Sequence, residues 1–164
     1  MSIRAVSLVD HADRTCLRLE GGSRRGTALI GIPRDAVRAR DTDPLLFNHS
    51  LFWETRELVH TYLRLGFDVD VIDFGAPLPA GGGPYQTSLT FHHQLHMIES
   101  ALVPGAIKVN WLTASNPIVR NARETVRAKA LEQRRTCSYA PKRQVVHVEA
   151  ELAAIEKADH CILI

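Results

Sequence analysis

The chain has 164 residues, 45% hydrophobic and 23% charged, with a net charge of +2 when histidine is neutral. That length and balance predict one folded domain and exclude a disordered chain, and the near-zero net charge excludes a general attraction to nucleic acid or membrane surfaces. Three widely spaced cysteines, Cys16, Cys137 and Cys161, form no CxxC pair, so neither a disulfide framework nor a thiolate zinc site is expected, and a reducing compartment fits.

The N-terminal stretch MSIRAVSLVDHADR interrupts its apolar residues with charge, unlike a signal peptide. No apolar run approaches the roughly 20 residues that span a bilayer. The expectation is a cytoplasmic protein with no integral membrane segment. Residues 1–26 read as a short N-terminal extension or a hairpin, with strands at 3–9 and 15–19 and a flexible basic loop at 20–26.

Residues 27–32 (TALIGI) form an apolar run ended by Pro33, as in a strand buried on both faces. Residues 34–48 are charged and read as a long loop, and long loops at strand ends are often functional. Leu51, Thr55, Leu58, Tyr62 and Leu65 recur at steps of three or four and predict a helix over 51–65. Ser50 or Asn48 suits its N-cap, and Gly66 its C-terminal stop. Residues 67–74 (FDVDVIDF) alternate as a second strand, so a right-handed parallel βαβ unit is expected. A Pro- and Gly-rich loop covers 75–85. A short third strand at 88–91, a helix at 94–102 and a fourth strand at 106–112 follow. Asn116 and Pro117 mark the start of a basic helix with a thin apolar stripe of Val119, Ala122, Val126 and Ala130. A loop at 138–146, a helix at 149–157 and a fifth strand at 158–164 complete the chain. The pattern is α/β: a Rossmann-like doubly wound, mostly parallel sheet of about five strands, with helices on both faces, over residues 27–164.

Neither a GxGxxG after the first strand nor a Walker A lysine motif is present, so no nucleotide cofactor is expected. Asp68-Val69-Asp70 matches the DxD pattern of some metal-dependent nucleotide-sugar enzymes. It opens a strand, however, and ligands collect at strand carboxyl ends, so solvated carboxylates are expected and no metal. Asp73 ends that strand and suits a hydroxyl or ribose contact. His92 and His96 have the i,i+4 spacing of a zinc pair, but Gln94 and Leu95 fill the gap where the glutamate of HExxH belongs. A histidine at a strand end can act as a general base near neutral pH, so His92 and His93 are candidates, the alternative being a polar rim of the sheet.

Thr113, Ser115 and Asn116 follow a buried strand and open a helix, where small residues and free N–H groups favour an anion or hydroxyls. A simple Asn116 cap is the alternative. Eight of the twenty lysines and arginines lie between Arg120 and Arg143. They read mostly as a solvated helix face, with Lys142 and Arg143 in the loop as candidates for an anionic group.

Residues 48–54 (NHSLFWE), with the helix to Leu65-Gly66 and the strand to Asp73, resemble the N-terminal domain of bacterial glycosyltransferases of the GT-B fold, family-4-like. In that group a histidine ends the third strand, where His92 stands. A TG-S-type turn follows the fourth strand, then a helix of the AE-x-x-R-x-x-x-L-x-x-R-R type. Thr113-Ala114-Ser115-Asn116, Asn121, Arg123-Glu124, Leu131, Arg134 and Arg135 match in that order, and Pro141-Lys142-Arg143 and Ala158-Asp159 match after them. The usual turn glycine is Ala114 here, and the usual acidic residue before the histidine is Thr90. The resemblance covers residues 27–164.

The resemblance implies the acceptor-side half of a sugar transferase, lacking the donor-binding C-terminal domain. His92 is then the catalytic base or an acceptor contact. Asn48, His49, Asp73, His93, Thr113, Ser115, Asn116, Lys142 and Arg143 are the substrate contacts. The partners are a sugar acceptor and, only with the missing domain, a nucleotide-sugar donor. Such a half is expected to be inactive alone, with no metal or cofactor. The rival expectation is a non-catalytic binding or interaction module. A flavodoxin-like regulatory domain fits less well, because Ile32-Pro33-Arg34 stands where an acidic cluster belongs.

Overall fold

The structure, a computed structural model, describes residues 7–10, 16–21, 25–79 and 81–163. The predicted strand residues 3–6 and 15, the turn beyond Asp10, loop residues 22–24 and the final strand residue lie outside the described residues. The strands are β1 (Ser7–Asp10), β2 (Cys16–Glu20), β3 (Thr27–Gly31), β4 (Asp68–Ile72), β5 (Tyr85–Phe91), β6 (Leu102–Leu112) and β7 (His160–Leu163). The helices are α1 (Arg34–Arg38), α2 (Leu45–Asn48), α3 (Ser50–Arg64), α4 (Gln94–Ile98), α5 (Pro117–Arg135) and α6 (Val148–Lys157), with a 3-10 turn at Glu99–Ala101.

One sheet runs in the order β1-β2-β4-β3-β5-β6-β7. From β4 to β7 every neighbouring pair is parallel. The β1–β2 hairpin adds antiparallel to the outer edge of β4. The parallel strands thus follow the 2-1-3-4-5 order of a doubly wound sheet. The chain leaves β3 in one direction to reach β4 and crosses back to reach β5. The connections therefore part at the carboxyl ends of β3 and β5, where this architecture opens a crevice.

Side-chain alternation assigns the two faces. Leu17, Leu19, Ala28, Ile30, Val69 and Val71 are buried on one face, under Val59 and Leu63 of α3. Cys16, Leu29 and Ile72 are buried on the other, under Leu95 and Ile98 of α4 and Ala154 of α6. Each fully buried Leu or Ile contributes roughly 1.5–3 kcal/mol by leaving water. The face of α3 is centred on Thr55, Val59 and Leu63, with Leu51, Leu58 and Tyr62 beside it, while Leu65 lies outside. The α3 N-cap is His49, whose Nδ1 accepts the Leu51 N–H at 3.1 Å, rather than Ser50 or Asn48. Gly66 terminates the helix with φ +91°, as expected of a glycine stop.

Three further local expectations are corrected. The loop at 34–48 carries α1 and α2, both packed near α3. The stripe of α5 is turned outward: Val119 and Val126 are exposed, and Pro117, Glu124 and Ala128 are the buried residues. The reason is that Glu124 gathers Arg127 and the loop after the helix, so a carboxylate rather than an apolar row faces inward. Thirdly, Asp70 of the DxD pattern is fully buried, not solvated. It sits opposite Arg18 in the β2–β4 register. Arg18 donates to both its oxygens at 2.6 Å, and the Tyr85 hydroxyl donates at 2.9 Å. This hydrogen bonding raises the Arg18 pKa, and burial beside Asp70 raises that of the Tyr85 phenol.

Gly31 closes β3 against the Gln94 amide, and a Cβ there would overlap that buried side chain. Gln94 Nε2 also donates to the Asp73 carbonyl at 3.1 Å, linking α4 to the end of β4. Gly31→Ala is therefore expected to destabilise by about 1–3 kcal/mol through overpacking. Chemical denaturation reads this, and Gly31→Ala with Gln94→Ala should recover much of the loss.

Candidate functional site

His92 follows β5 directly, with φ +47°, a conformation costing a non-glycine residue roughly 1–2 kcal/mol. Two contacts hold it there. Its N–H donates to the Trp111 carbonyl at 3.4 Å, and its own carbonyl accepts from Asn110 Nδ2 at 3.0 Å. The result aims the imidazole across the ends of β5 and β6. Nδ1 lies 3.1 Å from Glu151 Oε1, and Nε2 lies 3.1 Å from Thr113 Oγ1. Glu151 is buried in the first turn of α6. With the carboxylate accepting from Nδ1–H, Nε2 is left as an acceptor for a hydroxyl; the tautomer follows from the network.

Carboxylate, imidazole and hydroxyl thus stand in line. This is the arrangement in which a base is oriented by one partner and presented to a proton on another. Around them is an aromatic rim. Phe74 lies edge-on to His93 at 5.2 Å and to His92 at 6.3 Å, and His93 packs on His147 at 5.0 Å between ring centroids. Just beneath, Thr90 aligns with Gly31 of β3 and Asn110 of β6. Thr90 Oγ1, Asn110 Oδ1 and Gln94 Oε1 are buried and have no protein partner among the described residues. All three side chains are fully buried beneath the rim.

Of the residues singled out in the sequence, His92, His93 and Thr113 meet here. Ser115 and Arg143 line a separate hollow with Arg120, Arg123, Glu124 and Arg127. Asn116 Oδ1 caps α5 by accepting from Ile118 N–H at 2.9 Å. Asp73 accepts from the Arg34 backbone at 2.9 Å and from Arg34 Nε at 2.6 Å, tying the first loop to the end of β4. Asn48 is exposed beside His49, the cap of α3. Lys142 is exposed. Among the described residues no contact joins Asn48, His49 or Lys142 to His92. Glu151 and Asn110 were missed. Glu151 shares a helix face with Ala154, so a carboxylate on the apolar side of a short helix was the available signal. Among the described residues no group of three His, Cys, Asp or Glu side chains is placed to hold a metal ion, and no helix is long and apolar enough to cross a membrane.

Burial lowers the His93 pKa from its ordinary 6.5, and neighbouring His147 lowers it further. Glu151 pulls the other way, and His92 adds to the lowering. The neutral ring is thus favoured in the folded state. Below pH 6.5 the unfolded chain binds more protons than the folded one, so stability rises with pH across that window and is lost on acidification. The thermal midpoint is expected to fall between pH 7 and pH 5, and His93→Gln should fall less. Equal falls in both proteins would assign the acid sensitivity elsewhere.

The chain matches no protein-family model, no curated protein and no solved structure. The fold is therefore described by its own topology, a Rossmann-like doubly wound α/β sheet.

Proposed function

We propose that this domain is a binding module that takes a hydroxyl-bearing small molecule at the carboxyl edge of its sheet, with His92 receiving the hydroxyl. The observation that carries this reading is the His92 imidazole, held between a buried carboxylate and the Thr113 hydroxyl. A ligand hydroxyl can replace Thr113 at Nε2 without disturbing the Glu151 contact. The half-exposed ring of Phe74 beside the site offers apolar surface to the C–H side of a sugar or polyol, so that class is favoured. Titration with a panel of sugars and polyols, followed by backbone chemical shifts, tests it. Saturable shifts at His92, Thr113 and Glu151 are expected. A panel that leaves these residues unmoved would sink the reading.

A second reading keeps the site and adds chemistry: the acceptor-side half of a GT-B, family-4-like sugar transferase. It is favoured by the same imidazole–carboxylate pair, which can take a proton from an acceptor hydroxyl as it attacks. Transfer would also require a nucleotide-sugar donor held by a further domain. Tight binding of nucleotide sugars by this chain alone would count against that division of labour.

A further inference from the structure

We infer that the hollow between α5 and the loop preceding α6 is an oxyanion site that takes the phosphate group of a small molecule. The hollow has a volume of about 450 Å³ and is lined by Ser115, Arg120, Arg123, Glu124, Arg127 and Arg143. Four guanidinium groups face one carboxylate there.

That carboxylate is already engaged. Arg127 donates to Glu124 from Nε at 2.8 Å and from Nη2 at 2.7 Å, and the Arg143 N–H donates at 3.4 Å. The Arg127 hydrogen bond holds the Glu124 carboxyl down to about 2, so it stays ionised and neutralises Arg127. Arg120, Arg123 and Arg143 remain, and none has a carboxylate partner among the described residues. Arg120 Nε donates to the Arg143 carbonyl at 3.4 Å, which ties the loop to the helix and keeps those two residues side by side.

Like charges gathered in one concavity repel, and a bound anion relieves that repulsion. The guanidinium fork matches two phosphate oxygens at once, which a lysine cannot do. Ser115 adds a hydroxyl beside the positive end of the α5 dipole, which also favours negative charge. The lining gathers these cations around one open depression rather than along a row, which suits a single phosphate group rather than a polymer backbone. The inference stands apart from the His92 reading, because none of these cations touches His92, Thr113 or Glu151.

Inorganic phosphate is the probe, titrated at low salt and followed by isothermal calorimetry and Arg side-chain chemical shifts. Saturable millimolar binding that weakens as salt is raised is expected. Arg123→Gln and Arg143→Gln should each weaken it about fivefold or more, and together remove it, with unchanged circular dichroism. His92→Ala should leave phosphate affinity within about twofold, since no contact links the two places. Absence of saturable binding to the unmodified chain, or equal binding by the double variant, would overturn the site. Loss of phosphate binding on His92→Ala would overturn its independence. Should the arginine variants fail to fold, phenylglyoxal modification of the unaltered protein decides: phosphate should protect Arg123, and unchanged modification rejects the inference.

Discussion

Arg18→Met is expected to lower stability by about 3–5 kcal/mol, which would make it among the largest single effects in this molecule. The replaced guanidinium is the countercharge of Asp70, a fully buried carboxylate in the middle of the sheet. Methionine keeps most of the aliphatic packing but leaves that charge beside the Tyr85 hydroxyl without the Arg18 countercharge. Arg18 is itself 31% exposed, so solvent reaches one side of the pair and the lower end of the range is expected. For a chain of this size that is a fall of roughly 6–12 °C in the thermal midpoint. The triple variant Arg18→Met, Asp70→Leu, Tyr85→Phe removes these three polar groups together and should recover most of the loss. Full stability in Arg18→Met alone would mean that Asp70 finds another partner.

The second large effect is expected at His92. Losing the imidazole removes the group that faces a ligand hydroxyl, so His92→Ala should weaken binding about tenfold, or about 1.4 kcal/mol. If the domain serves as the acceptor side of a transferase, the complete enzyme should lose roughly 10²–10⁴ in rate, the usual contribution of a general base. Backbone strain separates this from a folding defect. His92 adopts φ +47°, which glycine tolerates and alanine does not. His92→Gly should therefore be more stable than His92→Ala by roughly 1 kcal/mol while binding equally poorly. A glycine variant that binds as well as the unaltered protein would remove the imidazole from the site.

Glu151 supplies the companion measurement. Its buried carboxylate orients the ring rather than meeting the ligand. Glu151→Gln keeps the shape and can still hydrogen-bond Nδ1, but it no longer supports a positively charged imidazole. Equilibrium binding of a neutral sugar should change little, whereas any proton-transfer step should slow. That contrast distinguishes the binding reading from the transferase reading.

The main strands were legible because burial on both faces leaves a strong mark. TALIG, DVDVI and YQTSLTF carry their apolar residues into two layers of helix. The third strand is longer than read, beginning at Tyr85, because Tyr85 uses its hydroxyl on Asp70 and so is compatible with the interior. The basic helix was legible as a helix from its cap and period, but its orientation was not. Periodicity identifies a stripe without saying what faces it, and here the buried Glu124 outweighs Val119 and Val126.

By itself the sequence determined that this is an α/β chain with a mostly parallel sheet of about five strands and that a histidine follows the third of them. Local alternation, helix caps and apolar runs are properties of neighbouring residues, and they survive reading one residue at a time. Only the tertiary structure decided that the N-terminal hairpin continues the sheet, that Asp70 is buried on Arg18, and that His92 stands between Glu151 and Thr113. Those partners lie 52, 59 and 21 residues apart in the chain. Their meeting depends on strand order and on α6 packing back over the sheet, so the charge and hydrogen-bond logic of the site exists only once the layers have closed.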